Sequence, residues 1–99
     1  MAKAYWITTY RSISNPDALA AYAKLAGPAI AAAGGKMLVR APTPAKTYEA
    51  GLSQRTVVIE FADLAKALAA HETPGYQEAL RVLGKNSVER DMRVVEGVD

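Results

Sequence analysis

The side chains able to do chemistry are few, and they are scattered along the chain. Glu60 lies between Ile59 and Phe61 in the apolar run RTVVIEF at residues 55–61. A lone carboxylate is costly to bury, so Glu60 must be solvated, paired or protonated. It could act as a general base, given a substrate within hydrogen-bond reach. The plainer role is a structural ion pair, with Arg40 and Arg93 as the candidate partners. His71 is the only histidine. Its ordinary pKa near neutrality suits proton transfer. Its place near a helix end, where the dipole favours a cation, also accounts for it without catalysis. Glu60 and His71 are therefore the two weak catalytic candidates, and the catalytic residues are otherwise unknown.

Ligand binding has a broader set of candidates. Trp6, Tyr10, Tyr22, Tyr48 and Tyr76 could line a pocket, their hydroxyls orienting a bound group. Tyr22 and Tyr76 are the best placed, although aromatic residues at strand or helix spacing more often serve plain packing. Arg40 could clamp a carboxylate through its planar fork, or be solvated or ion-paired. Tyr22, Arg40, Glu60 and Tyr76 form the ligand-binding set. A single histidine and dispersed carboxylates show no metal-ligand spacing, so neither metal nor cofactor is expected. Gly34-Gly35 precedes a strand instead of opening a helix, unlike a phosphate loop.

These residues must be positioned by a small scaffold. Ninety-nine residues suit one domain, 1–99. With 51% hydrophobic and 22% charged residues, the composition is that of a globular protein and not a disordered one. Twelve Lys+Arg against 10 Asp+Glu leave a net charge of +2, with no basic run, which argues against nucleic acid as a partner. Absence of cysteine excludes disulfides, thiolate metal sites and cysteine nucleophiles. No stretch is long and apolar enough for a membrane span and no secretory signal is seen, so a cytoplasmic location is expected.

Residues 4–11 read as a first strand, rich in aromatic and β-branched types. Asn15 caps a helix with Pro16 in its first turn and Asp17 at the positive end of the dipole. Its apolar stripe is Leu19, Tyr22, Ala23, Ala26, Ile30 and Ala33. Pro28 predicts a kink or two abutting pieces, and Gly34-Gly35 ends the helix. Lys36–Arg40 reads as a second strand, and Thr47–Glu49 as a brief extra one after the Pro42/Pro44 segment. Residues 55–61 give the strongest strand. Asp63 caps a helix over Leu64–His71, Thr73-Pro74 opens another to Leu83, and Arg90–Glu96 closes as a strand. The order is β-α-β-β-α-β with a split second helix, the pattern of an α+β ferredoxin-like fold with a four-stranded antiparallel sheet.

If one face of that sheet met water, its strands should alternate apolar and polar. They do not. Val57, Ile59 and Phe61 face one way, and Thr56, Val58 and Glu60 the other. Tyr5 and Ile7 oppose Trp6 and Tyr10, while Met92 and Val94 oppose Val95. Both faces want cover, and a second copy packed sheet to sheet with two-fold symmetry supplies it. A homodimer is expected; the alternative is a tolerated apolar surface patch.

Several segments carry a resemblance: AYWI at 4–7, Asn15-Pro16, Gly34-Gly35 before Met37–Arg40, RTVVIEF at 55–61, Pro74 with Tyr76-Gln77, and VVEG at 94–97. Together they resemble a family of short, mostly bacterial proteins of unknown function in the dimeric α+β barrel superfamily. The resemblance implies a ferredoxin-like fold and a dimer with facing sheets, and no established reaction. The chain departs from the family pattern at Ala41-Pro42, where Gly-Gly is frequent, and at Ala70-His71, where an aromatic pair is frequent. Three functions fit: a binder of a small organic molecule in a cavity between sheet and helices, a cofactor-independent enzyme of monooxygenase or isomerase type, or a structural or regulatory dimer without ligand.

Overall fold

A computed structural model describes residues 2–98. Its elements run β1 (Ala4–Ile13), α1 (Pro16–Ala32), β2 (Lys36–Ala41), β3 (Thr56–Phe61), α2 (Leu64–His71), α3 (Pro74–Leu83) and β4 (Val88–Glu96). The four strands form one sheet in the order β2-β3-β1-β4, antiparallel at every junction. This is the ferredoxin-like α+β fold, with its second helix in two pieces.

The helix starts follow from local chemistry. Asn15 Oδ1 accepts from the Ala18 amide at 3.1 Å, and Asp63 Oδ1 from Lys66 at 2.8 Å. Thr73 Oγ1 accepts from the Tyr76 amide at 3.3 Å and donates to the Ala70 carbonyl at 2.9 Å, tying α3 to the end of α2. Each cap satisfies an amide that the helix itself leaves free.

One expectation is corrected, and one of the two alternatives at Pro28 is removed. Helix α1 is continuous through Pro28, with no division into two pieces. Gly27 eases one part of the cost, since without Cβ it avoids part of the pre-proline clash, while the bond that Pro28 cannot donate to the Lys24 carbonyl stays unmade. The Thr47–Glu49 segment is not a strand; residues 42–55 form a loop throughout. Strand β1 also extends to Ile13, past a register irregularity between Tyr10 and Ser12.

Alternation along the strands sorts the sheet into two faces. Ala4, Trp6, Thr8 and Tyr10 of β1, with Val57, Ile59 and Phe61 of β3, are buried toward the helices. Against them α1 turns Leu19, Tyr22, Ala26 and Ile30, and α3 turns Tyr76, Ala79 and Leu83. An aromatic stack forms the centre. Trp6 packs on Phe61 and Tyr76 with ring centroids 5.2 and 5.0 Å apart, and its Nε1 donates to the Ala67 carbonyl at 2.8 Å.

Among the described residues, no helix lies over the opposite face. It carries Tyr5, Ile7, Thr9, Thr56, Val58, Glu60 and Val95, all half-buried or exposed. The 42–55 loop lies over one end, where Lys46, Thr47 and Leu52 line a depression with Thr9, Thr56 and Arg93.

Candidate functional site

Between α1 and the sheet lies a cavity of about 60 Å3. That is above the minimum of ~10–15 Å3 needed to hold one water, so the space admits water or a small organic molecule. It is built in rows across the sheet. In the deepest row Met37 pairs with Ile59, and Ile59 with Trp6. The next row runs from Arg40 through Val57 and Thr8 to Met92. In the outermost row the Tyr10 amide donates to the Arg55 carbonyl at 3.0 Å, and Tyr10 pairs with Arg90 on its other side. Tyr22, Ala23, Ala26, Gly27 and Ile30 of α1 form the roof. The cavity is thus apolar at the Trp6 end and cationic at the Tyr10 end.

Tyr10 is the hub of the cationic end. The Arg90 guanidinium lies 5.6 Å from the Tyr10 ring centroid and 4.9 Å from that of Tyr22, within cation–π range. One of its nitrogens donates to Tyr10 Oη at 2.9 Å. Arg55 lies 5.9 Å from the same Tyr10 ring. Burial alone would favour loss of the Arg90 proton, but the Tyr22, Tyr10 and Tyr76 oxygens outweigh it and hold the guanidinium above its usual range.

Behind the roof, Tyr22 Oη and Tyr76 Oη share a hydrogen bond of 2.7 Å. Burial, followed by the neighbouring Tyr22 oxygen, pushes the Tyr76 hydroxyl far above the ordinary phenol value near 10. The folded protein therefore keeps this proton at a pH where the unfolded chain releases it. Its stabilising contribution is complete below pH ~10 and declines as pH rises beyond that. In urea melts between about pH 10 and 11.5, Tyr76→Phe is expected to lose stability less steeply than the native chain. The difference in slope should approach ~1.4 kcal/mol per pH unit, one proton's worth. Equal slopes would exclude Tyr76 as the group responsible.

The sequence candidates divide on this geometry. Tyr22 and Arg40 line the cavity. Tyr76 does not; it supports Tyr22 from behind. Glu60 is not in the cavity either, because its odd step in β3 turns it to the uncovered face. There Lys3 Nζ lies 3.4 Å away and Tyr5 Oη donates to it at 3.3 Å. Neither expected arginine is its partner: Arg40 is on the other face, and Arg93 pairs with Asp91 at 3.1 Å. His71 closes α2 away from the cavity lining, with Nδ1 2.6 Å from Glu72 Oε2 and its ring edge-on to Trp6. Glu60 and His71 are thus separated from the cavity. Trp6 and Tyr10, weaker candidates from sequence, both line it.

Arg55 and Arg90 were not among the candidates, although a signal for both was present. Position 55 shares strand parity with Val57, Ile59 and Phe61, and position 90 with Met92 and Val94. A charged residue in phase with the buried face is an anomaly worth reading as a site. Among the described residues, no group of three or more acidic or histidine side chains could hold a metal ion.

Residues 3–98 match the Domain of unknown function (DUF1330). The chain belongs to the DUF1330 family. No curated protein matches it in sequence. Among solved structures, a DUF1330 chain of this shape is similar to a protein of unknown function from Rhodopseudomonas palustris. The two share 15% identity over 99% of this chain and 84% of that one, with a TM-score of 0.76. A Caulobacter crescentus protein, provisionally named an antibiotic biosynthesis monooxygenase, superposes with a TM-score of 0.64 at 16% identity, covering 99% and 92% of the two chains. A dimeric ferredoxin-like protein of unknown function from Thermobifida fusca gives a TM-score of 0.53 at 12% identity, covering 97% and 92%. At these identities the likeness establishes the fold.

Proposed function

We propose that this DUF1330 protein is a homodimeric, single-domain binder of a small organic molecule, held in the cavity between α1 and the sheet. The observation that carries the reading is the cavity's polarity. An apolar floor of Trp6, Val57 and Ile59 meets Tyr10, Arg55 and Arg90 at one end, with Arg40 beside Val57 and Tyr22 in the roof. Pockets for small ligands have this composition: mostly apolar, with a few placed polar groups. The dimeric Thermobifida neighbour and the uncovered sheet face support the second copy.

Catalysis of the kind suggested by the Caulobacter neighbour's name finds less support in the lining. Proton abstraction calls for a base near the substrate, and among the described residues the lining has neither a carboxylate nor an imidazole. Binding is the simpler use of this arrangement.

Ala23 offers the test. It is exposed on α1 and lines the cavity, so a larger side chain there narrows the space without disturbing the core. A fragment set of small organic molecules screened by ligand-observed NMR is expected to give hits on the native protein. Ala23→Phe should weaken them tenfold or more while its melting temperature stays within a few degrees. Hits that bind Ala23→Phe with native affinity would place binding elsewhere.

A further inference from the structure

The chain has six arginines, and they fall into two groups of three. Arg11 and Arg93 pair with Asp91, and Arg81 pairs with Glu78. Arg40, Arg55 and Arg90 line the cavity, and among the described residues no carboxylate lies within ion-pair distance of any of them. Arg55 goes further: its Nε is buried without a hydrogen-bond partner. A buried donor on a charged group is expensive to leave unsatisfied, by more than a neutral one. The one contact that Arg55 makes with an aromatic ring, Tyr10, is shared with Arg90 on the neighbouring strand. Two guanidinium groups thus flank one ring at one end of a small cavity, with charge uncompensated and a donor unspent.

Building on the binding reading, we infer that the ligand is a small monocarboxylate, its carboxylate held at the Arg55–Tyr10–Arg90 row and its hydrocarbon part lying toward Trp6, Val57 and Ile59. A planar guanidinium matches a carboxylate in two-point geometry. Beyond the cationic row, Val57 and Met92, and then Ile59 and Trp6, give a hydrocarbon chain a surface to bury, which an inorganic oxyanion could not use. A cavity of about 60 Å3 is small for an organic ligand, so the shortest acids are the expected size class.

The experiment uses straight-chain acids from acetate to hexanoate, the matching primary amides, and inorganic phosphate. Each is titrated at pH 7 into the native protein and followed by amide chemical shifts. One of the shortest acids should bind at least tenfold tighter than its amide and shift the Tyr10, Arg55 and Arg90 signals. Arg55→Gln should erase that preference while binding the amide as before. It should also melt no lower than the native protein without ligand, since the substitution removes an uncompensated charge. Arg55→Lys keeps charge but not the fork, and should recover only part of the preference. If an amide binds as tightly as its acid, the carboxylate assignment is wrong while a binding cavity stands. Phosphate binding as tightly as the best acid would likewise overturn the carboxylate assignment. Binding by neither acids nor amides, together with no hits in the fragment screen, would remove both the ligand class and the binding reading.

Discussion

Trp6→Ala is expected to lower the unfolding free energy by about 3–5 kcal/mol, the range for deleting a large buried aromatic side chain. Trp6 is 1% exposed and touches Phe61, His71 and Tyr76 in one aromatic stack. Truncation removes that packing and leaves a void that joins the cavity above the sheet. It also removes the donor to the Ala67 carbonyl, the one side-chain bond from the sheet into α2 among the described hydrogen bonds. A domain of this size has roughly 5–15 kcal/mol in total, so the variant should sit near the edge of folding. Trp6→Phe separates the two contributions. It keeps a ring in the stack but drops the bond and part of the volume, and should cost about 1–3 kcal/mol. Urea melts followed by circular dichroism give both numbers. A loss below about 1 kcal/mol for Trp6→Ala would mean that the stack is not the centre of the core.

Much of this architecture is written locally. Asn15, Asp63 and Thr73 are capping residues before apolar periodicity, and each does cap a helix. The bounds of α2 and α3 follow from those caps and from Gly84, without tertiary information. Strand parity likewise sorted Val57, Ile59 and Phe61 from Thr56, Val58 and Glu60, and the structure keeps that division. What failed was non-local or rested on a single residue's rule. Proline rules call for a kink or two abutting pieces at Pro28, and the second alternative fails because α1 runs through as one helix. Pairing Glu60 with Arg40 required both on one face, and the irregularity between Met37 and Val39 in β2 decides that instead, leaving Arg40 opposite Val57 on the helix side. A bulge of this kind turns every later side chain over, and nothing in the types of Met37, Leu38 and Val39 announces it. The cationic end of the cavity was legible in principle, because Arg55 and Arg90 are in phase with buried neighbours. Their convergence on Tyr10 depends on the order β3-β1-β4, which strand patterns alone do not supply.

Val58→Asp is expected to turn a dimer into a monomer. In the proposed assembly two sheets meet through the face that no helix covers. Val58 sits there beside Ile7 on β1 and Val39 on β2, with Tyr5 and Val95 nearby. These side chains are half-buried or exposed within one chain, at 40% for Val39 and 38% for Val95. Each 100 Å2 of such apolar surface hidden by a partner contributes about 2.5 kcal/mol. An aspartate at 58 would be carried into that interface without a cation among its strand neighbours, and two-fold symmetry brings in a second copy of it. Position 7 would be a poorer choice, since its β4 partner is Arg93, which could compensate a new carboxylate. The charge should weaken association by two orders of magnitude or more, equivalent to about 3 kcal/mol. Light scattering at micromolar concentration should read twice the chain mass of 10.5 kDa for the native protein and 10.5 kDa for the variant. Circular dichroism should confirm that the variant remains folded, because Val58 contributes nothing to the helix-side core. A native protein of monomer mass would sink the dimer itself. A Val58→Asp protein that stays dimeric would move the interface to another surface, and the apolar face would then need a different explanation.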